Sequence, residues 1–351
     1  MSVLPVASVD ELTPDWLTAA LGREVSDVSA TPVGTGQMGA CYRLVLRGDP
    51  GLPATLLAKL PTADPAGRDF LHGSYAIETT FYAQLAPTLS IRVPTTSYAA
   101  ISSDPAQRGV FTLLLEDLAP AVQGDQVRGC TPLQAAAALD NLAGLHAPRW
   151  CDPTLLEVEG LSLAGKDEAD MLDAVFKDAV EIALGKLDGL VSAADAADLR
   201  AIAPYAGAWS VARPERFALV HGDYRLDNLL FHADGRVWAV DWQTLSLGLP
   251  ARDVAFLLGT GLAPDARRAT EEGLVASYHQ RLIDLGVEDY AVEDCWDDYR
   301  FGMLQGPLIA VLGCAYSSTD SERGNRMFAA MVARSVAAMR DLGTLGLLET
   351  L

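Results

Sequence analysis

Hydrophobic and polar positions alternate in short runs through the first third of the chain, then give way to the three- and four-residue spacing of amphipathic helices. Residues 28–33, 41–46 and 55–60 read as strands, separated by glycine-bearing turns at 34–39 and 48–53. Ahead of them, Thr13 followed by Pro14 and closed by Gly22 carries the cap, first-turn and stop signals of a short helix. Residues 68–85 place Phe70, Leu71, Ile77, Phe81, Tyr82 and Leu85 at helical spacing and predict one helix, and 94–101 and 110–115 predict two further strands. The expectation for residues 1–117 is a small antiparallel sheet with one helix.

From residue 118 the pattern turns helical and alanine-rich, with helices expected over 132–146, 168–187 and 193–209. An apolar strand at 218–220 interrupts them. Helices return from Asp253 to the C-terminus, including 264–285, 295–303 and 322–342, with a polar surface loop at 317–324. The shift in pattern marks a boundary between a first lobe, 1–117, and a mostly helical second lobe, 118–351. The sequence shows neither an internal repeat nor a low-complexity tail.

Composition narrows the partners. The chain has 351 residues, half of them hydrophobic, so it is long enough for two domains or one with a large core. Acids outnumber bases 46 to 26, for a net charge of −20, which argues against nucleic acid or anionic lipid as partner. A cationic small molecule is compatible. No basic start followed by an apolar stretch opens the sequence and no segment reads as a membrane span, so a soluble, cytoplasmic protein is expected. The five cysteines are scattered, never in C-x-x-C spacing, and suggest neither a disulfide framework nor a zinc site. Oligomeric state is not legible.

The chemistry is carried by His221-Gly222-Asp223-Tyr224-Arg225-Leu226-Asp227-Asn228, followed by Val240-Asp241-Trp242-Gln243. Phosphoryl transfer needs an acid to accept the proton of the attacking hydroxyl, an amide five positions on to reach a metal ion, and a second acid after the next hairpin for the other metal contact. Asp223, Asn228 and Asp241 fit those places. Short apolar strands at 229–231 and 237–240 around the turn at 233–235 would bring the two acids to one mouth.

Gly34, Gly36 and Gly39 form G-x-G-x-x-G, a string used by both dinucleotide-binding folds and kinases. The alternating run after Gly39 reads as a strand, and a glycine loop between two strands is the kinase arrangement, although a simple hairpin fits too. Lys59, a cation in an apolar strand, needs a counter-charge. Glu78 in the following helix is the natural partner and Asp69 the alternative. Leu115-Glu116-Asp117-Leu118 fits a hinge whose main chain at Glu116 and Leu118 would meet an adenine edge.

With these residues in view, the sequence resembles the aminoglycoside phosphotransferase and choline kinase group of small-molecule kinases, within it the ecdysteroid-kinase-like and acyl-CoA-dehydrogenase-associated branches. The likeness runs most of the chain and includes Leu142-Ala143-Gly144-Leu145-His146-Ala147 and Pro250-Ala251-Arg252-Asp253-Val254-Ala255. The resemblance implies an α+β, bilobal, protein-kinase-like fold, ATP and Mg²⁺ as cosubstrate and metal, and a small-molecule hydroxyl acceptor over Asp223. It also implies that Asp253 buttresses the catalytic loop, where the residue alone reads equally as a helix cap. D-F-G, H-R-D and A-P-E are replaced or missing, which makes a protein acceptor unlike this chain. The acidic, aromatic run at 288–299 reads either as a clasp for an amine or as a solvated helix. Two other functions stand beside the kinase: a regulatory pseudokinase that binds nucleotide, and a dinucleotide-dependent oxidoreductase.

Overall fold

The alternation along the first third folds into antiparallel strands, and the computed structural model, which describes residues 3–34, 39–317 and 321–351, joins them in one five-stranded sheet. Its strands are β1 (Val25–Pro32), β2 (Ala40–Gly48), β3 (Thr55–Leu60), β4 (Thr96–Ile101) and β5 (Phe111–Glu116), in the order β1-β2-β3-β5-β4. Helix α1 (Pro14–Leu21) precedes them, with the Thr13 side chain accepting from the Trp16 N–H and Gly22 closing it in the left-handed region. Leu12 and Leu17 pack with Leu44, Leu46, Leu56, Ala58, Leu60 and Leu114, which the period-two alternation puts on one side of the sheet. Each such buried leucine contributes on the order of 1.5–3 kcal/mol. Lys59 falls between Ala58 and Leu60 and so points to the opposite side.

That opposite side is covered by helices where the sequence predicts a single one. The segment instead forms α2 (Pro65–Phe70), α3 (His72–Thr80) and a π-helical turn, Phe81–Leu85. Asp64 caps α2 and Pro65 opens it, so the helix starts early and must turn at Leu71, whose φ of −87° and ψ of 3° lie outside the helical basin. The wide turn at Phe81–Leu85 leaves Phe81, Tyr82 and Leu85 buried, which is why their spacing still reads as helix. On this side Tyr75 lies with its ring 4.5 Å from that of Phe111.

These elements belong to a first compact unit, Met1–Thr88, Val93–Pro120 and Val240–Leu245; the second comprises Leu89–Arg92, Ala121–Ala239 and Ser246–Leu351. The second unit contains β6 (Val122–Gln123), α4 (Pro132–His146), α5 (Lys166–Lys186), α6 (Ala193–Ile202), α7 (Ala206–Val211), β7 (Ala218–Val220), β8 (Leu229–Phe231), β9 (Val237–Ala239) and β10 (Ser246–Gly248). It ends with α8 (Ala251–Gly261), α9 (Pro264–Asp284), α10 (Val292–Gly302), α11 (Gln305–Tyr316), α12 (Glu322–Leu342) and α13 (Thr344–Leu348). Pro204 divides the helix expected over 193–209, since it removes an N–H and clashes with the preceding turn; a 3₁₀ turn, Ala203–Tyr205, separates α6 from α7. Strand β7 pairs with β10, and β8 pairs with both β6 and β9. Helix α8 is buried from Val254 to Gly261, as a helix apolar on every face should be. Among the described residues no helix is long and apolar enough to cross a membrane.

Candidate active site

Within the first unit the sheet register sets Lys59 opposite Cys41 on β2 and Leu113 on β5. Its Nζ donates to Glu78 Oε1 at 2.8 Å and to Asp241 Oδ1 at 2.9 Å. Asp69, the alternative partner, is exposed and pairs with Arg108. Burial alone would push the Lys59 ammonium down, but Glu78 and Asp241 together outweigh it and hold its pKa above that of a free lysine. Burial pushes the Glu78 carboxyl up, against the pull of Lys59. Asp241 has φ of 68°, a conformation that aspartate tolerates better than most residues. The next residue holds it there: Trp242 stacks on Phe81 of the π turn, with ring centroids 3.6 Å apart and planes 11° apart, and its N–H donates to Glu78 Oε1 at 3.3 Å. The Trp242 stack is a contact that sequence reasoning missed.

Gly34 and Gly39 stand at the facing ends of β1 and β2, which pair antiparallel, so the glycine segment joins two strands and no helix follows it. That order fits a kinase and not a dinucleotide fold. Gly36 lies outside the described residues. At the expected hinge, the Glu116 carboxylate accepts from the N–H and hydroxyl of Thr95, and its N–H donates to the Thr95 carbonyl. One oxygen of the exposed Glu116 carboxylate, Oε2, is thus engaged by Thr95. Asp117 is clamped by two nitrogens of Arg43, at 2.7 and 3.1 Å, and Leu118 after it is half-buried.

In the second unit the loop between β7 and β8 carries the other predicted residues. Gly222 takes φ of 79°, a turn that needs glycine, and it directs the chain into Asp223. A 3₁₀ turn, Leu226–Asn228, brings Asn228 back, and its Nδ2 donates to Asp223 Oδ2 at 2.8 Å and to the Asp223 carbonyl at 2.9 Å. Asp253, fully buried on α8, accepts from the N–H groups of His221 and Gly222. It is thus a strap under the loop rather than a plain helix cap. Its carboxylate also lies 3.3 Å from Nε2 of buried His146, whose Nδ1 meets the Tyr278 hydroxyl at 2.6 Å. Gln305 Nε2 donates to the Gly222 carbonyl from the start of α11.

The acidic run on α10 does not form a clasp. Asp298 is buried and spent on Arg213, Arg216 and the Tyr290 hydroxyl, while Tyr299 donates to Glu271. Glu288, Asp289, Glu293 and Asp294 remain exposed, the solvated-face alternative.

The two residues expected at a metal belong to different units. In the second unit Asn228 turns both amide hydrogens to Asp223 and keeps Oδ1. In the first unit Asp241 carries a carboxylate that accepts from Lys59. Both are hard oxygen donors of the kind Mg²⁺ takes.

The chain is similar to several known proteins. Over 46 residues, 12% of the chain, the sequence is 54% identical to mouse acyl-CoA dehydrogenase family member 10, and over 74 residues, 20% of the chain, it is 36% identical to chicken acyl-CoA dehydrogenase family member 11. Those stretches cover 4% and 10% of the two relatives, far less than two thirds of either. A Ralstonia eutropha JMP134 protein described as an aminoglycoside phosphotransferase shares the fold with a TM-score of 0.57 at 18% identity, covering 97% of this chain and 98% of that one. Plasmodium vivax ethanolamine kinase follows at 0.53 and 13%, over 91% and 85% of the two chains. An ADP-bound aminoglycoside phosphotransferase gives 0.52 and 16%, over 93% and 97%. These likenesses fix a kinase-like α+β fold. With the model of the phosphotransferase enzyme family matching residues 45–294, the chain belongs to that family.

Proposed function

We propose that this protein transfers the γ-phosphoryl group of ATP to a hydroxyl of a small molecule, with Asp223 as the base. The observation that carries the reading is the bridge from Lys59 to both Glu78 and Asp241: a cation kept charged in an apolar strand, between two acids, is a phosphate-binding device. ADP in a related phosphotransferase supports ATP as donor. The aminoglycoside and ethanolamine in the names of similar structures support a small-molecule acceptor.

In the reaction the acceptor oxygen forms a bond to the γ-phosphorus while the bond to the bridging oxygen of ADP breaks and ADP departs with its electron pair. The acceptor proton passes to Asp223. Asn228 orients that carboxylate and, with Asp241, would hold Mg²⁺, which when bound neutralises phosphate charge. Lys59, kept in place by Glu78, and main-chain groups at Gly34 and Gly39 would meet the phosphates. Main-chain groups at Glu116 and Leu118 would meet the adenine. Positioning and charge stabilisation supply most of the rate.

The test is turnover of Mg·ATP against a panel of amino, sterol and acyl alcohols. Asp223→Asn is expected to bind Mg·ATP with little change and to lose turnover by ~10³-fold or more. Near-native turnover in that variant, or no panel-dependent ADP release by the native protein, would remove the reading.

A further inference from the structure

Arg225 lies two residues beyond Asp223, in a loop position for which the kinase chemistry above assigns no part. Its backbone is extended, with φ of −121° and ψ of 165°, and the 3₁₀ turn starts directly after it. Side chains 223, 225 and 227 consequently meet. Nε of Arg225 is shared between the two oxygens of Asp223, at 3.0 and 3.1 Å, and Nη1 donates to Asp227 Oδ2 at 2.9 Å and to the Met327 sulfur at 3.4 Å. Asp227 is itself anchored, because its Oδ1 accepts the N–H of Gln126 at 2.9 Å. Gln126, fully buried, accepts the Leu226 N–H on its side-chain oxygen and donates to the Thr260 carbonyl.

We propose that Arg225 is a positioning residue for phosphoryl transfer: anchored by Asp227, it fixes the orientation of the Asp223 carboxylate. The inference rests on the reading of Asp223 as the base. A guanidinium is a rigid planar fork, so tethering one end at Nη1 dictates where Nε points. Nε and the Asn228 amide then grip Asp223 from two directions, and rotation of the carboxylate would break charge-assisted hydrogen bonds. A base must sit within hydrogen-bond reach of the proton it takes, and a displacement of about 1 Å can cost roughly 10²-fold in rate. Substituting Arg225 should therefore lower kcat and spare the affinity for nucleotide. An arginine that instead received the phosphates would raise KM for Mg·ATP.

The experiment uses the full chain with Mg·ATP and water as phosphoryl acceptor, so that no organic acceptor need be known, together with crystal structures of the variants. Arg225→Gln is expected to lower kcat by ~10²-fold with KM for Mg·ATP changed by less than about 3-fold, and to show the Asp223 carboxylate rotated. Asp227→Asn, which keeps an oxygen for the Gln126 N–H, is expected to lower kcat by about 10-fold alone and by less than about 3-fold in the Arg225→Gln background, because both act through one carboxylate. Arg225→Lys serves should the glutamine variant fail to fold: it keeps a charge without the fork, and kcat is again expected to fall at constant KM. An unrotated Asp223, an unchanged kcat, or a raised KM at constant kcat would overturn the inference. Asp223→Asn separates it from the reading beneath. Retained turnover there would remove the base, whereas lost turnover there with a native-like Arg225→Gln would remove only the role of Arg225.

Discussion

The Asp253 carboxylate accepts hydrogen bonds from two consecutive main-chain N–H groups, that of His221 at 2.6 Å and that of Gly222 at 3.0 Å. One buried acid thus ties α8 to the residues leading into Asp223, and through His146 to the end of α4. Asp253→Ala leaves two interior donors without that acceptor, at about 1–3 kcal/mol each. A lower midpoint in urea unfolding and a loss of turnover of at least ~10-fold are expected together, with Asp253→Asn, which retains one acceptor oxygen, between native and alanine. A native midpoint in the alanine variant would show that the strap carries no load.

Gly144, in the last turn of α4, has a different reason for its identity. Its carbonyl accepts the N–H groups of Ser90 and Ile91, at 3.0 and 3.1 Å, and a Cβ at this position would stand 2.7 Å from the Ile91 nitrogen. The neighbour is main chain and cannot rotate away. Gly144→Ala should destabilise by about 1–3 kcal/mol, despite the better helix propensity of alanine, by forcing residues 89–92 off the helix. Urea unfolding monitored by tryptophan fluorescence checks this, and an equal or higher midpoint would contradict it.

These two positions also separate what the sequence discloses from what it hides. Caps and alternation are local, so Thr13, Pro14 and Gly22 bound α1 and residues 55–60 form β3 as expected. The Asp223 to Asn228 spacing is legible because the amide reaches back over a single turn. Trp242 beneath Phe81, Gly144 against Ser90 and Asp227 against Gln126 are distant in the chain, and no periodicity foretells them. The same holds for the helix break at Leu71, where apolar spacing continues although the backbone does not. The acidic run at 288–298 left two readings open in the sequence, and what separates them is distant: Asp298 is paired with arginines more than eighty residues earlier.

Asp117 provides a pH dependence. Burial works against its charge, but hydrogen bonds from Arg43 and the Ala119 N–H outweigh it and hold the carboxyl below its ordinary 3.8. A carboxyl whose pKa is depressed on folding stabilises the fold above its unfolded value, and that contribution is lost as the pH falls through the folded value. Asp117→Asn should therefore be less stable than the native protein at pH 7, and the difference should shrink as the pH is brought below 3.8. Chemical unfolding at pH 7 and pH 3 measures it; a gap that widens on acidification would have the wrong sign.

Lys59 distinguishes charge from shape. Glu78 is buried at 1% exposure, its Oε2 has no hydrogen-bond partner among the described residues, and Oε1 depends on Lys59 and the Trp242 N–H. Lys59→Met keeps the aliphatic stem against β2 but leaves Glu78 and Asp241 without the cation between them. Breaking a buried pair from one side costs about 3–5 kcal/mol, unless the acid takes up a proton instead. Glu78→Gln should cost less, since the amide oxygen can still accept from Lys59 and the remaining ammonium keeps Asp241. The double variant Lys59→Met, Glu78→Gln should accordingly recover part of the stability lost in Lys59→Met alone. Turnover should not recover with it, because neither residue of the double variant offers a positive charge to phosphate. Unfolding free energies of the four proteins, set beside their Mg·ATP turnover, test both halves: a double variant no more stable than Lys59→Met would refute the stranded-acid account, and one with restored turnover would refute the role of Lys59 in meeting the nucleotide.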